Sequence, residues 1–260
     1  MPSSAVRTFS DPDDYAALIR NTKAELTVTG RGVFNAKLTR IDLHSLWMQR
    51  FSDNLPRIAH SGDMARPSVT FRTRPGPSLL WGGIEMGLTR IVRHAENESS
   101  FQHSSGFADW AAMSLPIEDM VSVGAATGDV DLTPPKDPTL VAPSPAGMAK
   151  LQRLHAAAGE LAEKAPQIIA NPAAAHGLEQ ALIEAMVHCL VSREDRENTV
   201  AQGQHAIVMR RFRRVVEENP EQPLYIPEIC KAIRVSQRTL RSVARSTWGC
   251  RQSATCCCAA

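Results

Sequence analysis

The sequence predicts an α+β chain. It has a β-rich N-terminal half folded as a jelly roll or small β-barrel, a helical linker, and an all-α C-terminal unit built on a pair of helices. Three observations carry this prediction. Between residues 26 and 132, short runs mixing apolar and polar positions are punctuated by glycine and proline, the texture of many short strands. Two proline clusters follow, Pro134-Pro135-Lys136-Asp137-Pro138 and Pro143-Ser144-Pro145, and proline at that density continues neither a sheet nor a helix. Beyond them apolar residues recur at three and four, the helical spacing. The expected divisions are residues 1–141, 142–198 and 199–260. At 260 residues and 43% hydrophobic, the chain has the length for one to two domains and the apolar content for real cores.

At the N-terminus, Asp11-Pro12-Asp13-Asp14 signals a helix start, with Tyr15, Leu18 and Ile19 on one face. The candidate strands that follow are LTVTG, GVFNAKLTRIDLHSLWMQRF, VTFRT, SLLWGGIEM, TRIVRHA and EDMVSVGAA. In the long run, Val33, Leu38, Ile41, Leu43 and Leu46 fall at roughly alternating positions, which predicts half-buried strands with a bend or bulge. Asp109 and Trp110 in GFADW read as loop-packing residues, with a binding-site rim as the other reading. Met148, Leu151, Leu154, His155, Ala158 and Leu161 predict a helix ending before Pro166. Leu178, Ala181, Leu182, Ala185, Met186 and Cys189 predict a second helix after Pro172. Its apolar stripe serves equally as core against the β half or as a dimer seam. His155, His176 and His188 read as helix-face residues rather than ligands. A third helix is expected from Thr199 to Asn219, closed by Pro220, with Ile207, Val208, Phe212, Val215 and Val216 facing inward and Arg210, Arg211, Arg213 and Arg214 outward.

The stretch Leu224 to Gly249 reads as two short helices around a tight turn. Ile229 and Ile233 lie four apart on the first, Leu240 and Val243 three apart on the second, and Val235 plugs the turn. Pro227 suits a first helical turn, and Ser236 is a natural N-cap for the second helix. Gln237, Arg238, Arg241 and Arg245 are left on the open face of that helix. Gln pairs with adenine and Arg with guanine in a bidentate manner, so the pattern fits a helix-turn-helix laid in the major groove of double-stranded DNA. The plainer reading is a helical hairpin with a solvated basic face. Charge distribution leans toward the first. From His205 to Arg251 there are ten Lys or Arg and four acids, a net of +6, while the whole chain carries +2, leaving −4 elsewhere. A basic end on an acidic body fits a nucleic-acid module.

The segment IPEICKAIRVSQRTLR resembles the first helix-turn-helix of the AraC family of bacterial transcription regulators. The shared features are the apolar spacing, the Val-Ser at the turn and the following Arg-x-Leu-Arg. The resemblance covers roughly residues 205 to 241 and is only architectural over the N-terminal half. It implies a cupin-like barrel there, sensing a small-molecule effector or a partner, with linker helices that join a homodimer. It also implies that Gln237, Arg238 and Arg241 read bases, with Arg245 alongside. Lys231, Ser236 and Thr239 would then anchor phosphates, and Arg210, Arg211 and Arg214 would add phosphate contacts that carry no sequence information. One departure is Arg234, where that turn usually has glycine, so a backbone strain is expected there.

Enzyme chemistry is not expected. No nucleophile motif, phosphate-binding glycine loop or paired-carboxylate signal is visible. His44, His60, His94 and His103 form no close His-x-His pair with a following carboxylate, as a metal-bearing cupin would. No cofactor or metal is therefore predicted. No apolar run is long enough to span a membrane and no signal peptide is evident, which predicts a cytoplasmic protein whose cysteines stay reduced.

The C-terminus departs from the family pattern. After Arg241 a longer amphipathic finish, a connecting helix and a second helix-turn-helix are expected, yet the chain reads SVARSTWGCRQSATCCCAA. Codons CTG CTG CTG CGC CGC for Leu-Leu-Leu-Arg-Arg, read one base late, give Cys-Cys-Cys-Ala-Ala. A frameshift near Ser242 that replaced the true ending is one reading, and a genuine redox or metal-binding tail is the other. Under the first, a single incomplete reading head remains per chain. The alternative function is then a barrel-type binding or interaction protein whose DNA module is inactive.

Overall fold

The computed structural model describes residues 1–62, 64, 66–95, 99–127, 131–136, 138–191, 204–205, 207–209, 211–212, 214–216, 218–219 and 223–248. In the N-terminal half the elements are β1 (Ser3–Phe9), α1 (Pro12–Ala17), β2 (Lys23–Val28), β3 (Ala36–Asp42), β4 (Trp47–Asp53), β5 (Arg57–Gly62) and β6 (Val69–Arg72). Then come β7 (Leu79–Trp81), β8 (Ile84–Glu85), β9 (Ile91–Arg93), β10 (Ser100–Ser104), β11 (Ala108–Ser114), α2 (Ile117–Ala126) and β12 (Thr139–Val141). The helical half holds α3 (Pro145–Lys164), α4 (Pro166–Ala170), α5 (Pro172–Leu190), a helical stretch α6 at the described residues between 204 and 216, α7 (Ile226–Ile233) and α8 (Gln237–Trp248).

Two antiparallel sheets form the β half. One runs in the order β1-β3-β4-β11-β6-β9-β12 and the other in the order β2-β5-β10-β7-β8. Leu38, Phe51, Trp110 and Val92 of the first sheet share a core with Leu26, Ala59, Leu79 and Trp81 of the second. The opposite face of the first sheet is also covered. Ile41, Met48, Val69, Phe71, Ile91, Ala111 and Met113 pack under α3, α4 and α5, against residues such as Leu151, Ala158, Ile169, Leu182 and Met186. The period-2 alternation of side chains therefore sends every residue of β6 and β11 into one apolar layer or the other.

The local chemistry of the helix starts matches the sequence. Asp11 caps α1 through its carboxylate, which accepts the Asp13 and Asp14 amides at 2.8 and 3.0 Å. Ser144 and Asn171 do the same for α3 and α5, each with a proline in the first turn. The long candidate run over residues 32–51 resolves into two paired strands, β3 and β4. Their turn closes on a Leu43 N–H to Leu46 carbonyl bond of 2.9 Å. The apolar stripe of α5 is core against the first sheet.

Several expectations are corrected. EDMVSVGAA is not a strand but most of helix α2, which buries Met120 and Gly124, four apart, while Val121 stays exposed. The polar start of the chain forms β1, paired along its length with β3. Asp109 and Trp110 lie in β11, not in a loop. Trp110 stacks on Phe51 with ring centroids 3.7 Å apart, and Asp109 accepts from Arg74 Nε at 2.6 Å. In α6, Val208, Met209 and Phe212 are the buried positions and Ile207 faces out. His155 is not on an open helix face but wholly buried, edge-on to the Phe71 ring at 5.3 Å. Among the described residues no helix is long and apolar enough to cross a membrane. The aberrant tail, residues 249–260, lies outside the described residues, as do the first residues of the third expected helix, 199–203.

Candidate nucleic-acid interface

The chain between Tyr225 and Trp248 folds as two helices because both starts and the joint between them are chemically specified. At the head of α7 the Glu228 carboxylate accepts the Tyr225 N–H at 3.0 Å, satisfying a donor that the helix leaves orphaned. Pro227 sits in the first turn, where a missing N–H is harmless. The end of α7 turns on Arg234, which takes the left-handed conformation at φ 58°, ψ 45°. That lets the Val235 N–H return to the Cys230 carbonyl at 3.1 Å, the closing bond of a Schellman-type cap. Arginine stands where glycine would carry no Cβ penalty, so the turn holds backbone strain.

Ser236 then starts α8. Its Oγ accepts the Thr239 N–H at 3.0 Å and lies 2.8 Å from the Thr239 Oγ1. Leu240 and Val243 of α8 meet Ile229, Cys230 and Ile233 of α7, and Val208, Met209 and Phe212 of α6 close the same core. Arg211 donates from Nη1 to the Ile233 carbonyl at 3.2 Å, placing a cation on the negative end of α7. Burial pushes the Cys230 thiol up in pKa, opposed by the nearby Arg241 charge.

What remains outside is the face the sequence singled out. Gln237, Arg238, Thr239, Arg241 and Arg245 are exposed, and so are Lys231 and Ser236. Arg238, Arg241, Ser242 and Arg245 line one open groove, since positions i, i+3, i+4 and i+7 share a helix face. The far side of α8 buries Ala244 and Thr247 and touches β7 and β10 of the second sheet, where Phe101 packs against the helical core. The helix thus leans on the β half through its apolar side and leaves its arginines facing away.

The other residues expected at this interface are placed differently. Arg214 pairs with Glu218 at 2.9 Å on the surface of α6, and Arg211 is engaged with α7 as described. Arg210 lies outside the described residues.

A second feature lies between the two sheets. A cavity there is lined by Arg20, Trp47, Gln49, Trp81, Trp110 and neighbouring residues. The indole N–H groups of Trp81 and Trp110 and the Tyr15 hydroxyl are buried with no hydrogen-bond partner among the described residues. Sequence reasoning missed these groups. Burial of an indole or phenol is usual, and only the surrounding structure shows whether the polar atom is paired.

No protein-family model matches the chain, and no curated protein matches it. Solved structures do. The AraC-like transcriptional activator CuxR is similar over 94% of this chain and 89% of its own, at 14% identity and a TM-score of 0.51. ToxT from Vibrio cholerae O395 matches 80% of this chain and 76% of its own at 10% identity, with a TM-score of 0.34. ToxT bound to (E)-4-(8-methylnaphthalen-1-yl)but-3-enoic acid matches 78% and 76% at 12% identity, with a TM-score of 0.38. The likeness to CuxR is one of fold, and it extends over 94% of this chain.

Proposed function

We propose that the protein is a sequence-specific DNA-binding transcription regulator of the AraC type, with α7 and α8 as its helix-turn-helix. The observation that carries the reading is the division of α8. Leu240, Val243 and Ala244 are buried, while Arg238, Arg241 and Arg245 stand exposed along one open groove and Gln237 is exposed at the head of the helix. In this reading Gln237, Arg238 and Arg241 meet base edges in the major groove, with Arg245 following the same face. Lys231, Ser236 and Thr239 meet phosphates, the Ser236 hydroxyl while also capping α8. The β half acts as a cupin-like sensing module. A small effector with hydrogen-bond acceptors would lie between the sheets, held by the unpaired Trp81 and Trp110 indoles. A second copy of the chain would supply a second reading head.

The test is selection of random duplex DNA on the full chain, followed by fluorescence anisotropy of the selected site against salt. Binding should weaken as salt rises, with a log–log slope that falls by about 0.9 for each phosphate contact removed. Arg238→Ala with Arg241→Ala should abolish preference for the selected site, at about 1–3 kcal/mol for each bidentate pair lost. If no duplex is enriched and no salt-dependent binding appears, the reading fails. The chain is then a binding or interaction protein whose helical pair does not read DNA.

A further inference from the structure

We propose that His44, His176 and Glu179 form a binding site for a divalent transition-metal ion of the zinc class, where the β3–β4 turn meets α5. The three residues each offer one ligand atom, and these atoms lie within 4.8 Å of one another. His176 and Glu179 are three apart on α5 and so share a face. His44 comes from the turn opposite, and its ring lies edge-on to that of His176, with centroids 5.9 Å apart. Tetrahedral zinc with nitrogen and oxygen ligands at about 2.0–2.2 Å needs ligand atoms roughly 3.3 Å apart. His176 is exposed, so its side chain can adjust toward that spacing while His44 keeps its place.

The carboxylate is the built part of the site. Glu179 is 3% exposed. Its Oε1 accepts the Ser45 and Leu46 amides at 2.6 and 2.8 Å, so the residues next to His44 hold the third ligand in place. Both bonds fall on Oε1, leaving Oε2 for an ion. Among the described residues no Lys or Arg pairs with this buried charge, and buried carboxylates are ordinarily paired with a cation or coordinate a metal. His44 Nε2 lies 3.3 Å from the Pro172 carbonyl. A proton on Nε2 directed at that oxygen leaves Nδ1 as the lone-pair nitrogen. Orientation of a ligand histidine by a backbone carbonyl is the usual outer-shell arrangement at metal sites. Two imidazoles and one carboxylate suit zinc and its neighbours rather than calcium or magnesium, and three protein ligands leave one position open. The sequence hides the site because His44 lies 132 residues from His176.

The experiment uses Zn²⁺ alone and the full chain carrying Cys250→Ser, Cys256→Ser, Cys257→Ser and Cys258→Ser, which silences the tail thiols. Isothermal titration should give one ion per chain. His44→Ala and His176→Ala, both at exposed positions, should each weaken binding by at least ~10-fold, as should Glu179→Gln, which retains an oxygen for the Ser45 and Leu46 amides. Co²⁺ in place of zinc should show ligand-field bands without thiolate charge transfer. Zn²⁺ should also raise the thermal midpoint of the parent and not that of His176→Ala. Absence of saturable binding in the cysteine-free-tail chain, or binding that survives loss of either histidine, overturns the proposal. Neither result depends on whether the chain binds DNA.

Discussion

Acidification should destabilise this protein through the buried side chain of His155. It is wholly buried in α3, edge-on to Phe71, and burial outweighs the Gln49 backbone contact that favours the charged ring. Burial first, and the Arg50 charge second, push its pKa from 6.5 down to about 3. The folded state therefore holds the ring neutral, while the unfolded chain protonates it near 6.5. Stability from this group is complete above the unfolded value and is lost as pH falls from about 6.5 toward 3. Between pH 7.5 and 5 the loss is about 2 kcal/mol. That figure barely changes if the folded pKa is 4 instead of 3, because both lie well below pH 5. The assay is urea denaturation of the parent and of His155→Leu at both pH values. The variant removes the titration with a side chain of similar volume and leaves the His155 carbonyl to accept from Arg50 Nη1. Carboxylates titrate alike in both proteins and cancel in the double difference. A double difference below about 0.3 kcal/mol would refute the reasoning, since it would mean that His155 is protonated equally in both states.

Two further outcomes follow from strain and charge. Arg234→Gly should stabilise the α7–α8 unit by about 0.5 kcal/mol, the left-handed penalty of about 1–2 kcal/mol less the extra unfolded-state freedom of glycine. Hydrogen exchange at the Val235 amide should slow about two-fold, and a faster exchange would count against strain at Arg234. Inside the β half, Arg57 Nε lies 3.0 Å from Asp53 Oδ2, with the two side chains 1% and 0% exposed. Burial lifts the Asp53 carboxyl in pKa despite the Arg57 charge, so desolvation outweighs the attraction. Arg57→Met should cost about 3–5 kcal/mol by stranding the carboxylate, and adding Asp53→Leu should recover most or all of that loss. Chemical denaturation of the two variants decides it, and a double variant no more stable than the single would contradict the account.

The helices were legible in the sequence and several strands were not, for one physical reason. At α3 and α5 a cap residue, an N-terminal proline and a 3.6-residue stripe all agree; α7 adds Pro227 to its stripe and α8 the Ser236 cap. In β11, ADWAAMS is buried on both faces, so no polar alternation marks it as a strand. In β5 the buried Arg57 and His60 masquerade as surface. The opposite error arose at α2, where Met120, Val121 and Val123 imitate a strand although the chain buries a residue only every fourth position. At the candidate interface the exposed arginines and the missing turn glycine could be read directly, because local spacing determines both. Nothing local distinguishes Arg211 from a free phosphate ligand, because its partner, the Ile233 carbonyl, emerges only when the helix is packed. Glu218 lies four residues from Arg214, so that pair was open to a reading of helical spacing.

The double-sided burial of the first sheet also constrains how the protein can be made. During synthesis the ribosome releases the strands first, and the sheet's outer layer of Ile41, Met48, Val69, Phe71, Ile91, Ala111 and Met113 has no cover until α3 to α5 have emerged. For the time needed to add some fifty residues, at about 5–20 residues per second, the nascent β half presents a large apolar surface. Such surfaces drive association. A fragment stopped at Val141, with that layer uncovered, is expected to aggregate.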